Sequence, residues 1–415
     1  MRDRPFIVLY LLAATAGLFF ASFSTFDFVQ HLDRQVHSIH CSFVPGLAEP
    51  DLASSSGCQV TMMSPYSSLL RKHIWGGLPI SLPAMAVFAF LLYRGIDVLG
   101  RQGRDRRAAA GFLAIASVIP VAASIVMGYI AMAKLDAACK LCIGIYVASA
   151  ACLLFSLLAW RSASADEMLT SDAGQHEHQD GNGGLVAGVL QGVAFVVVPV
   201  LVYIAVMPNY SGYVGKCGSL TQPKDPYGVM ASFGSATRGI PAIEVFDPLC
   251  PACKAFEARL EASGLDQKIS RKALLFPLDD TCNWMVSSAL HPGACTISEA
   301  VLCAGGKIDD VVKWAFDHQD AIREAAAKDP QAPARMVTTK FPELESCIGS
   351  AEVKSKLNKS LRWAVANHIP VLTPQLYLDG VKLCDEDTDL GLEYTLHRML
   401  QAHAAGTLGK EGRSP

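Results

Sequence analysis

Two Cys-x-x-Cys pairs in opposite physical settings are the residues of this chain best suited to chemistry. Cys250 and Cys253 follow a short apolar stretch in a region of ordinary charge density. Cys139 and Cys142 stand at the head of an uncharged stretch that runs to Trp160. A dithiol in water can exchange electrons with proteins, and a dithiol at a membrane face can exchange them with a lipid-soluble carrier. Together the two pairs predict a relay that makes or breaks disulfides.

The apolar residues that must position the second pair are concentrated in the first half of the chain. Hydrophobic residues make up 51% of the 415 residues and charged residues 18%, a composition that favours a membrane protein. A helix needs about 20 apolar residues to cross the hydrocarbon core, and five uncharged runs reach that length. They are Pro5–Phe26, Ile74–Tyr93, Ala108–Ala133, Leu141–Trp160 and Leu185–Met207.

Basic residues predict how these helices are oriented. Five arginines lie between residues 94 and 107, in the connection between the second and third runs, and positive charge stays on the cytoplasmic side. The N-terminus and the linker 161–184 are therefore predicted to be cytoplasmic, and the C-terminal region lies outside. We interpret His176 and His178 in that linker as solvated residues rather than metal ligands. The net charge of −3 does not indicate a nucleic-acid partner, and none is expected.

The C-terminal region, residues 239–415, is predicted to be a soluble α/β domain. Ala242–Phe246 is strand-like, and Lys254–Leu265 is amphipathic, so Cys250 is expected at a helix N-terminus. The helix dipole and free backbone N–H groups stabilise a thiolate there. Cys250 is thus the predicted attacking sulfur, and Cys253, one helical turn further on, is placed to resolve a mixed disulfide.

The order of the remaining elements resembles the DsbA-like branch of the thioredoxin superfamily. A strand candidate at Lys272–Pro277 is followed by a helical region from Asn283 to His368, then by Thr373-Pro374 before a strand and an Asp-Gly turn. A last helix is predicted at Asp389–Ala404. The resemblance implies a cis Pro374 beside the active disulfide and a Thr373 that contacts substrate backbone.

Two features of the soluble dithiol bear on its chemistry. The dipeptide between its cysteines is Pro251-Ala252, which lacks the His of the strongest DsbA oxidants, so the resemblance does not fix the redox potential. A Cys-x-x-Cys pair also occurs in zinc knuckles. No second pair in the C-terminal region has knuckle spacing, and we expect no metal site.

The membrane half resembles the vitamin K epoxide reductase family over about Arg4–Trp160. The residues that carry the resemblance are Cys41, Cys58 and Ser64 in the first outer loop, with Cys139, Cys142 and Tyr146 at the fourth helix. The family implies a four-helix transmembrane bundle over residues 1–160, in which the two loop cysteines serve the Cys-x-x-Cys pair. Bacterial members are often fused through a fifth helix, here residues 185–207, to a thioredoxin-like domain. Residues 208–238 are then a connector.

The spacing at the fourth helix indicates how a quinone could be reached. Cys139, Cys142 and Tyr146 are three and four residues apart and share one helix face. Cys139 is expected nearer water, and Cys142 deeper, where a quinone ring can approach. We interpret the Tyr146 hydroxyl as a hydrogen-bond donor to a quinone carbonyl; the alternative is an aromatic residue of the interfacial belt. Ser64 is carried over from the family as a polar group near the quinone. The predicted electron acceptor is ubiquinone or menaquinone.

The other outer cysteines are predicted to be structural. Cys282 and Cys295 bracket a turn-forming His291-Pro292-Gly293 segment and are predicted to form a local staple. Cys303 and Cys347 are predicted to clamp the two ends of the helical region. Six cysteines allow fifteen connectivities, and Cys217 with Cys384 is paired only by elimination, so either thiol can be free. Cys152 lies in the middle of a helix and is expected to pack.

The predicted function is therefore a membrane thiol–disulfide oxidoreductase in a bacterial inner membrane. Reduced exported proteins pass electrons to Cys250 and Cys253, then through Cys41 and Cys58 to the membrane dithiol and a quinone. One alternative is an outward-directed disulfide reductase or isomerase, for which the sequence offers no cytoplasmic thiol pair as electron source. The other is a membrane-anchored thiol chaperone that needs no quinone.

Overall fold

The computed structural model describes residues 4–35, 39–43, 57–170, 181–234 and 239–409. Contacts divide the chain into two compact units, Met1–Pro208 and Asn209–Pro415. Among the described residues, the first unit consists mainly of helices, whereas the second combines a mixed sheet with helices. The predicted order of a helical region followed by an α/β region is confirmed. Part of the predicted linker 161–184, including His176 and His178, lies outside the described residues.

The first unit contains the predicted apolar spans. Its elements are α1 (Arg4–Gln30), α2 (Gly57–Met63), β1 (Ser68–Leu69), β2 (Leu78–Pro79), α3 (Ser81–Gly100), α4 (Gly103–Ala116), α5 (Val118–Ala133), α6 (Lys140–Thr170) and α7 (Gly181–Val206). Within the described residues, five helical spans are long and apolar enough to cross a membrane. The prediction of five such spans is confirmed.

The helix ends differ from the uncharged runs in three places. The second run begins at Ile74, but the residues before Ser81 form turns and the β1–β2 hairpin. The third run is divided into α4 and α5, which meet at Ser117 shortly before Pro120; proline has no N–H for a helical hydrogen bond. Helix α6 continues beyond Trp160 into the predicted linker, so the end of an apolar run need not be the end of a helix.

Small residues let the membrane helices approach closely. A Cβ at Gly17 of α1 would lie 2.3 Å from the ring of Phe88 on α3, and one at Gly144 of α6 would lie 2.7 Å from Phe20. Apolar helices in lipid associate through such packing, since lipid tails are as apolar as the side chains. Cys152 is fully buried in the same core.

The second unit is built on a five-stranded sheet. Its elements are β3 (Ala231–Phe233), β4 (Ile240–Phe246), α8 (Pro251–Ser263), β5 (Ile269–Leu275), α9 (Ala294–Cys303), α10 (Ile308–Asp317), α11 (Gln319–Lys328), α12 (Ala332–Lys340), α13 (Ala351–Ala366), β6 (Gln375–Leu378), β7 (Val381–Lys382) and α14 (Leu392–Ala404). The strand order is β3-β5-β4-β6-β7. Strands β4 and β5 run parallel, and the other neighbours run antiparallel. Strand β3 lies in the predicted connector and was not predicted.

A buried ion cluster fixes the part of this sheet that precedes the soluble dithiol. The Arg271 guanidinium donates to Glu244 of β4 at 2.7 Å and to Glu257 of α8 at 2.7 Å, and lies 4.6 Å from the centroid of the Phe233 ring. Burial raises the pKa of Glu244 to about 7, against the opposing positive charge of Arg271. Buried charges are tolerated when they are paired in this way. The cluster therefore couples β3, β4, β5 and α8.

Two disulfides fasten the helical region, and their loop lengths predict different contributions to stability. The structure joins Cys303 to Cys347, 44 residues apart, and Cys282 to Cys295, 13 residues apart. In the chain-entropy model, closing loops of these lengths stabilises by about 4 and about 3 kcal/mol. We expect the Cys303→Ala/Cys347→Ala variant to lose more free energy of unfolding than the Cys282→Ala/Cys295→Ala variant. Denaturant unfolding of the full-length protein would measure both, and the reverse ranking would contradict the entropic account.

Candidate functional site: a loop disulfide and two dithiols

A disulfide between the segment after α1 and the start of α2 lies against the membrane dithiol. The structure joins Cys41 to Cys58, and Cys58 is buried at the start of α2. Cys58 shares an apolar cluster with Cys139 and Leu141. A Cβ at Gly57 would lie 2.2 Å from the carbonyl oxygen of Ala138. Only glycine allows this close approach, which brings α2 against the residue that precedes Cys139.

The Cys139–Cys142 pair occupies the start of α6. Cys139 immediately precedes the helix, and the backbone N–H of Cys142 donates to the Cys139 sulfur at 3.2 Å. The first N–H groups of a helix have no partners within the helix and are available to a sulfur acceptor. Both cysteines are free thiols; Cys139 is buried and Cys142 is half-buried. The structure therefore places Cys139 beside the loop disulfide.

A cavity of about 270 Å³ lies beside these two cysteines. Cys139 and Cys142 both line it, as does the half-buried Tyr146, whose ring packs 3.6 Å from a Cβ position at Gly128. The other lining residues that carry polar side chains are Ser24, Asp27, Thr61, Ser67, Ser81, Ser124 and Ser149. The rest of the lining is apolar. Small-molecule sites have this character, an apolar wall with a few polar groups.

Ser64 is not among the residues that line this cavity. Its hydroxyl donates to the Thr61 carbonyl at 2.7 Å, and its own carbonyl accepts a hydrogen bond from the Arg71 guanidinium. Arg71 also donates to Ser67 and Ser68, so this network shapes the loop between α2 and β1. Ser67, three residues further on, lines the cavity. A contact between Ser64 and a quinone stays a prediction.

An Asp–His pair at the end of α1 was not predicted from the sequence. Asp27 is almost fully buried and lines the cavity. Its carboxylate oxygens lie 2.6 Å from His40 Nδ1 and 3.0 Å from the backbone nitrogen of His40, which donates. These bonds hold the residue next to Cys41 against the end of α1. A pair 13 residues apart, with one partner in an irregular loop, leaves no periodic signal in the sequence.

The soluble dithiol begins helix α8. Cys250 is the N-cap residue, with Pro251 in the first turn. Both Cys250 and Cys253 are buried free thiols. The Cys250 sulfur lies 3.6 Å from the Thr373 carbonyl oxygen, and the Thr373–Pro374 peptide bond is cis. The structure therefore brings together four residues that lie up to 124 positions apart in the sequence.

The two sulfurs differ in acidity. The hydrogen bond from Cys253 is the largest influence on Cys250. With the Thr373 side chain and the charge of His291, it lowers the Cys250 pKa to about 6, against burial and the negative charge of Asp247. Burial raises the pKa of Cys253 well above its ordinary value. At neutral pH the thiolate is thus on Cys250 and the proton on Cys253. Since the thiolate is the nucleophile in disulfide exchange, this difference favours Cys250 as the attacking sulfur.

Three further residues surround Cys250 that sequence reasoning did not assign to the site. Asp247 is fully buried and lies 2.7 Å from His291 Nδ1. Gln319 of α11 donates to the carbonyls of Pro248 and Cys250 at 3.1 and 2.9 Å. The sequence shows His291 only as part of a turn and Gln319 only as a helix residue, because their partners are distant along the chain.

The arrangement of the cysteines in the first unit agrees with a comparison of the chain with known protein families. Its loop disulfide and Cys-x-x-Cys pair, set among apolar helices, define a membrane thiol–disulfide relay domain. Residues 8–157 match the profile of the Vitamin K epoxide reductase family, and this segment is a domain of that family. The family implies an oxidoreductase. No curated protein matches the chain.

Proposed function

We propose that the protein generates disulfides in exported proteins and passes the electrons to a membrane quinone. The observation that carries this proposal is the position of the membrane dithiol: Cys139 packs against Cys58 of the loop disulfide, and Cys142 borders the cavity. A dithiol in contact with both the loop disulfide and an apolar cavity is placed to pass electrons from one to the other. Electrons then flow from Cys250 and Cys253 through Cys41 and Cys58 to the pair on α6.

The thiol steps conserve electrons and protons. A client thiolate attacks the Cys250–Cys253 disulfide, and the client's second thiol displaces Cys250, which leaves an oxidised client and a reduced Cys250–Cys253 pair. The Cys250 thiolate then attacks the Cys41–Cys58 disulfide, and Cys253 resolves the mixed disulfide. The loop dithiol in turn reduces a Cys139–Cys142 disulfide. Each exchange moves two electrons and two protons towards the membrane.

The cavity fits the ring of a quinone such as ubiquinone or menaquinone. Its walls are largely apolar, as a lipid-soluble ring requires. The hydroxyls of Thr61, Ser124 and Ser149 already donate to protein acceptors, so Tyr146 is the residue of α6 that would orient the ring beside Cys142. A bound quinone supplies an acceptor for two electrons and two protons. The packing of α1, α3 and α5 around the site would keep water from the Cys142 sulfur.

We further propose that residues 239–415 form a DsbA-like thioredoxin domain on the extracytoplasmic side of a bacterial inner membrane. The parallel β4–β5 pair, the cysteines at the start of α8 and the adjoining cis proline support that fold. The linker 161–184, the fifth helix 185–207 and the connector 208–238 would join it to the bundle 1–160. Tethering raises the effective concentration of the donor dithiol for its acceptor. Thr373 and Pro374 would contact the client backbone.

Reconstitution tests the whole assignment. Full-length protein in liposomes that contain ubiquinone or menaquinone should oxidise a reduced dithiol peptide and form stoichiometric quinol, and quinone-free liposomes should stop after the protein's own disulfides are consumed. A chaperone would show peptide binding without quinone dependence. An outward-directed reductase would reduce disulfide peptides instead. Either result would contradict the proposed direction of electron flow.

Tyr146→Phe tests the cavity itself. If the Tyr146 hydroxyl donates a hydrogen bond to a quinone carbonyl, its loss should raise the KM for quinone about 2- to 13-fold, as expected for a hydrogen bond worth roughly 0.5–1.5 kcal/mol. The rate of thiol exchange with a peptide should stay unchanged. Tyr129→Phe is the matched control, because Tyr129 is 65% exposed on α5 and does not line the cavity. Equal quinone kinetics in the two variants would favour an interfacial role for Tyr146.

A further inference from the structure

The segment between the two soluble cysteines carries no charge, yet a charged group reaches Cys250 from elsewhere in the fold. Pro251 and Ala252 separate the cysteines. His291, in the loop between β5 and α9, is linked to Cys250 through Asp247. Its Nδ1 atom lies 2.7 Å from an oxygen of Asp247. The Asp247 carbonyl also accepts the backbone N–H of Cys250 at 3.1 Å, so one residue touches both.

The position of His291 is fixed by several hydrogen bonds. Leu278 N–H donates to the same Asp247 oxygen at 2.8 Å, and His291 N–H donates to the Leu278 carbonyl at 3.0 Å. The other Asp247 oxygen accepts the N–H of Leu249 at 2.7 Å. The Cys282–Cys295 disulfide closes the loop around His291. A side chain held at this many points is preorganised and loses little entropy when it interacts.

The charges around His291 favour the protonated ring. Burial opposes the charged form, but the hydrogen bond and negative charge of Asp247, together with the charge of Cys250, raise the pKa of His291 above its ordinary value. Arg323 of α11 is the other charged group that acts on the ring, and it opposes protonation. The groups that act on Cys250 are Cys253, Thr373, Asp247 and His291; the negative charge of Asp247 opposes the Cys250 thiolate, and the other three favour it. Among these four, His291 is the group that can carry a positive charge.

We propose that His291, held as an imidazolium by Asp247, is a positioning residue that stabilises the Cys250 thiolate and strengthens the Cys250–Cys253 disulfide as an oxidant. The proposal rests on the proposed function in taking Cys250 as the exchanging sulfur. Stabilisation of the thiolate favours the reduced pair, and a pair with a stabilised reduced form is a stronger oxidant. The cation therefore promotes transfer of the disulfide to clients.

The direct test is His291→Gln in the full-length protein. Removing a nearby positive charge should raise the apparent pKa of Cys250 by about one unit, measured from the pH dependence of iodoacetamide modification by peptide mass spectrometry. The equilibrium constant with glutathione should shift about tenfold towards the disulfide form of the protein, or ~30 mV to a more reducing potential. An unchanged Cys250 pKa and an unchanged glutathione equilibrium would overturn the proposal.

His403→Gln is the matched control. His403 forms a second His–Asp pair in the same unit, with Nε2 3.3 Å from an Asp379 oxygen, and it does not act on Cys250. This variant should leave both measurements unchanged, and a shift equal to that of His291→Gln would also overturn the proposal. An intact Cys282–Cys295 peptide in the digest would show that the loop keeps its disulfide.

If His291→Gln does not fold, the proposal is tested with His291→Lys, which keeps a positive charge at this position. His291→Lys should keep the Cys250 pKa within the wild-type range, whereas a Cys250 pKa about one unit higher would show that a positive charge is not what stabilises the thiolate. None of these measurements requires a quinone. A protein that shows the His291 effect but fails to reduce quinone in liposomes would contradict the proposed electron acceptor and leave the role of His291 standing.

Discussion

Replacing Cys250 with serine should reduce the oxidation of client thiols to the uncatalysed background, whereas Cys253→Ser should accumulate covalent protein–client complexes. A serine hydroxyl cannot form the mixed disulfide that begins each exchange. In Cys253→Ser the exchange still begins at Cys250, but the resolving thiol is gone and the mixed disulfide persists. Both cysteines are buried, and serine is close to cysteine in size, so the two variants should retain the fold.

Non-reducing electrophoresis of the two variants after incubation with a dithiol peptide would measure this difference. Adducts in Cys253→Ser that disappear on reduction are the expected result. Adducts in Cys250→Ser instead, or normal turnover in Cys253→Ser, would reverse the assignment of the attacking sulfur.

The pH dependence of the first exchange step is a separate test of the Cys250 thiolate. Because the Cys250 pKa is lowered to about 6, the rate at which the reduced wild-type protein attacks an activated disulfide should be constant above that pH. It should fall about tenfold per pH unit below it.

The parts of the fold that could be predicted from the sequence are those with a local signal. Apolar runs indicate the spans because each helix needs about 20 apolar residues. Helix α8 was predicted at Lys254–Leu265 and runs from Pro251 to Ser263. The strand predicted at Lys272–Pro277 begins three residues earlier, at Ile269. Strand β3 has only three residues, and a strand that short carries no alternation from which it could be recognised.

The site was predictable where its chemistry is fixed by cysteines and hidden where it depends on tertiary contacts. Spacing alone identified both Cys-x-x-Cys pairs. The Asp27–His40 bond and the Asp247–His291 bond each link an element end to an irregular loop. No hydrophobic periodicity and no sequence motif marks His40 or His291. Aspartates that bind a distant histidine in this way can be found only once the loop has been placed.

The burial of Cys139 beside the loop disulfide and the cavity bears on how its thiolate can form. Cys139 and Cys58 belong to one apolar cluster from which water is largely excluded. A thiolate is costly in such a setting, so exchange there depends on local donors such as the Cys142 N–H. The Cys250 thiolate is also buried, and it depends in the same way on the groups around it, of which Cys253 has the largest effect. In both dithiols the local hydrogen-bond donors therefore favour a thiolate on the first cysteine of the pair.

Replacement of the loop pair should separate the two halves of that relay. In Cys41→Ser/Cys58→Ser, electrons from the Cys250–Cys253 pair should no longer reach the membrane dithiol, and peptide-driven quinone reduction should fall to background. A small membrane-permeable dithiol added directly should still reduce the Cys139–Cys142 disulfide and sustain quinol formation. The reason is that the double variant removes the shuttle while both cysteines beside the cavity remain in place.

Liposomes that contain a defined quinone would measure both donors in the same preparation. Cys139→Ser is the matched control, since it removes a cysteine of the membrane dithiol and should block quinol formation from the peptide and from the small dithiol alike. If Cys41→Ser/Cys58→Ser loses activity equally with both donors, the loop pair does not act as a shuttle. If peptide-driven activity survives in that variant, the Cys250–Cys253 pair must reach Cys139 directly, and the loop disulfide serves to shape the wall of the cavity.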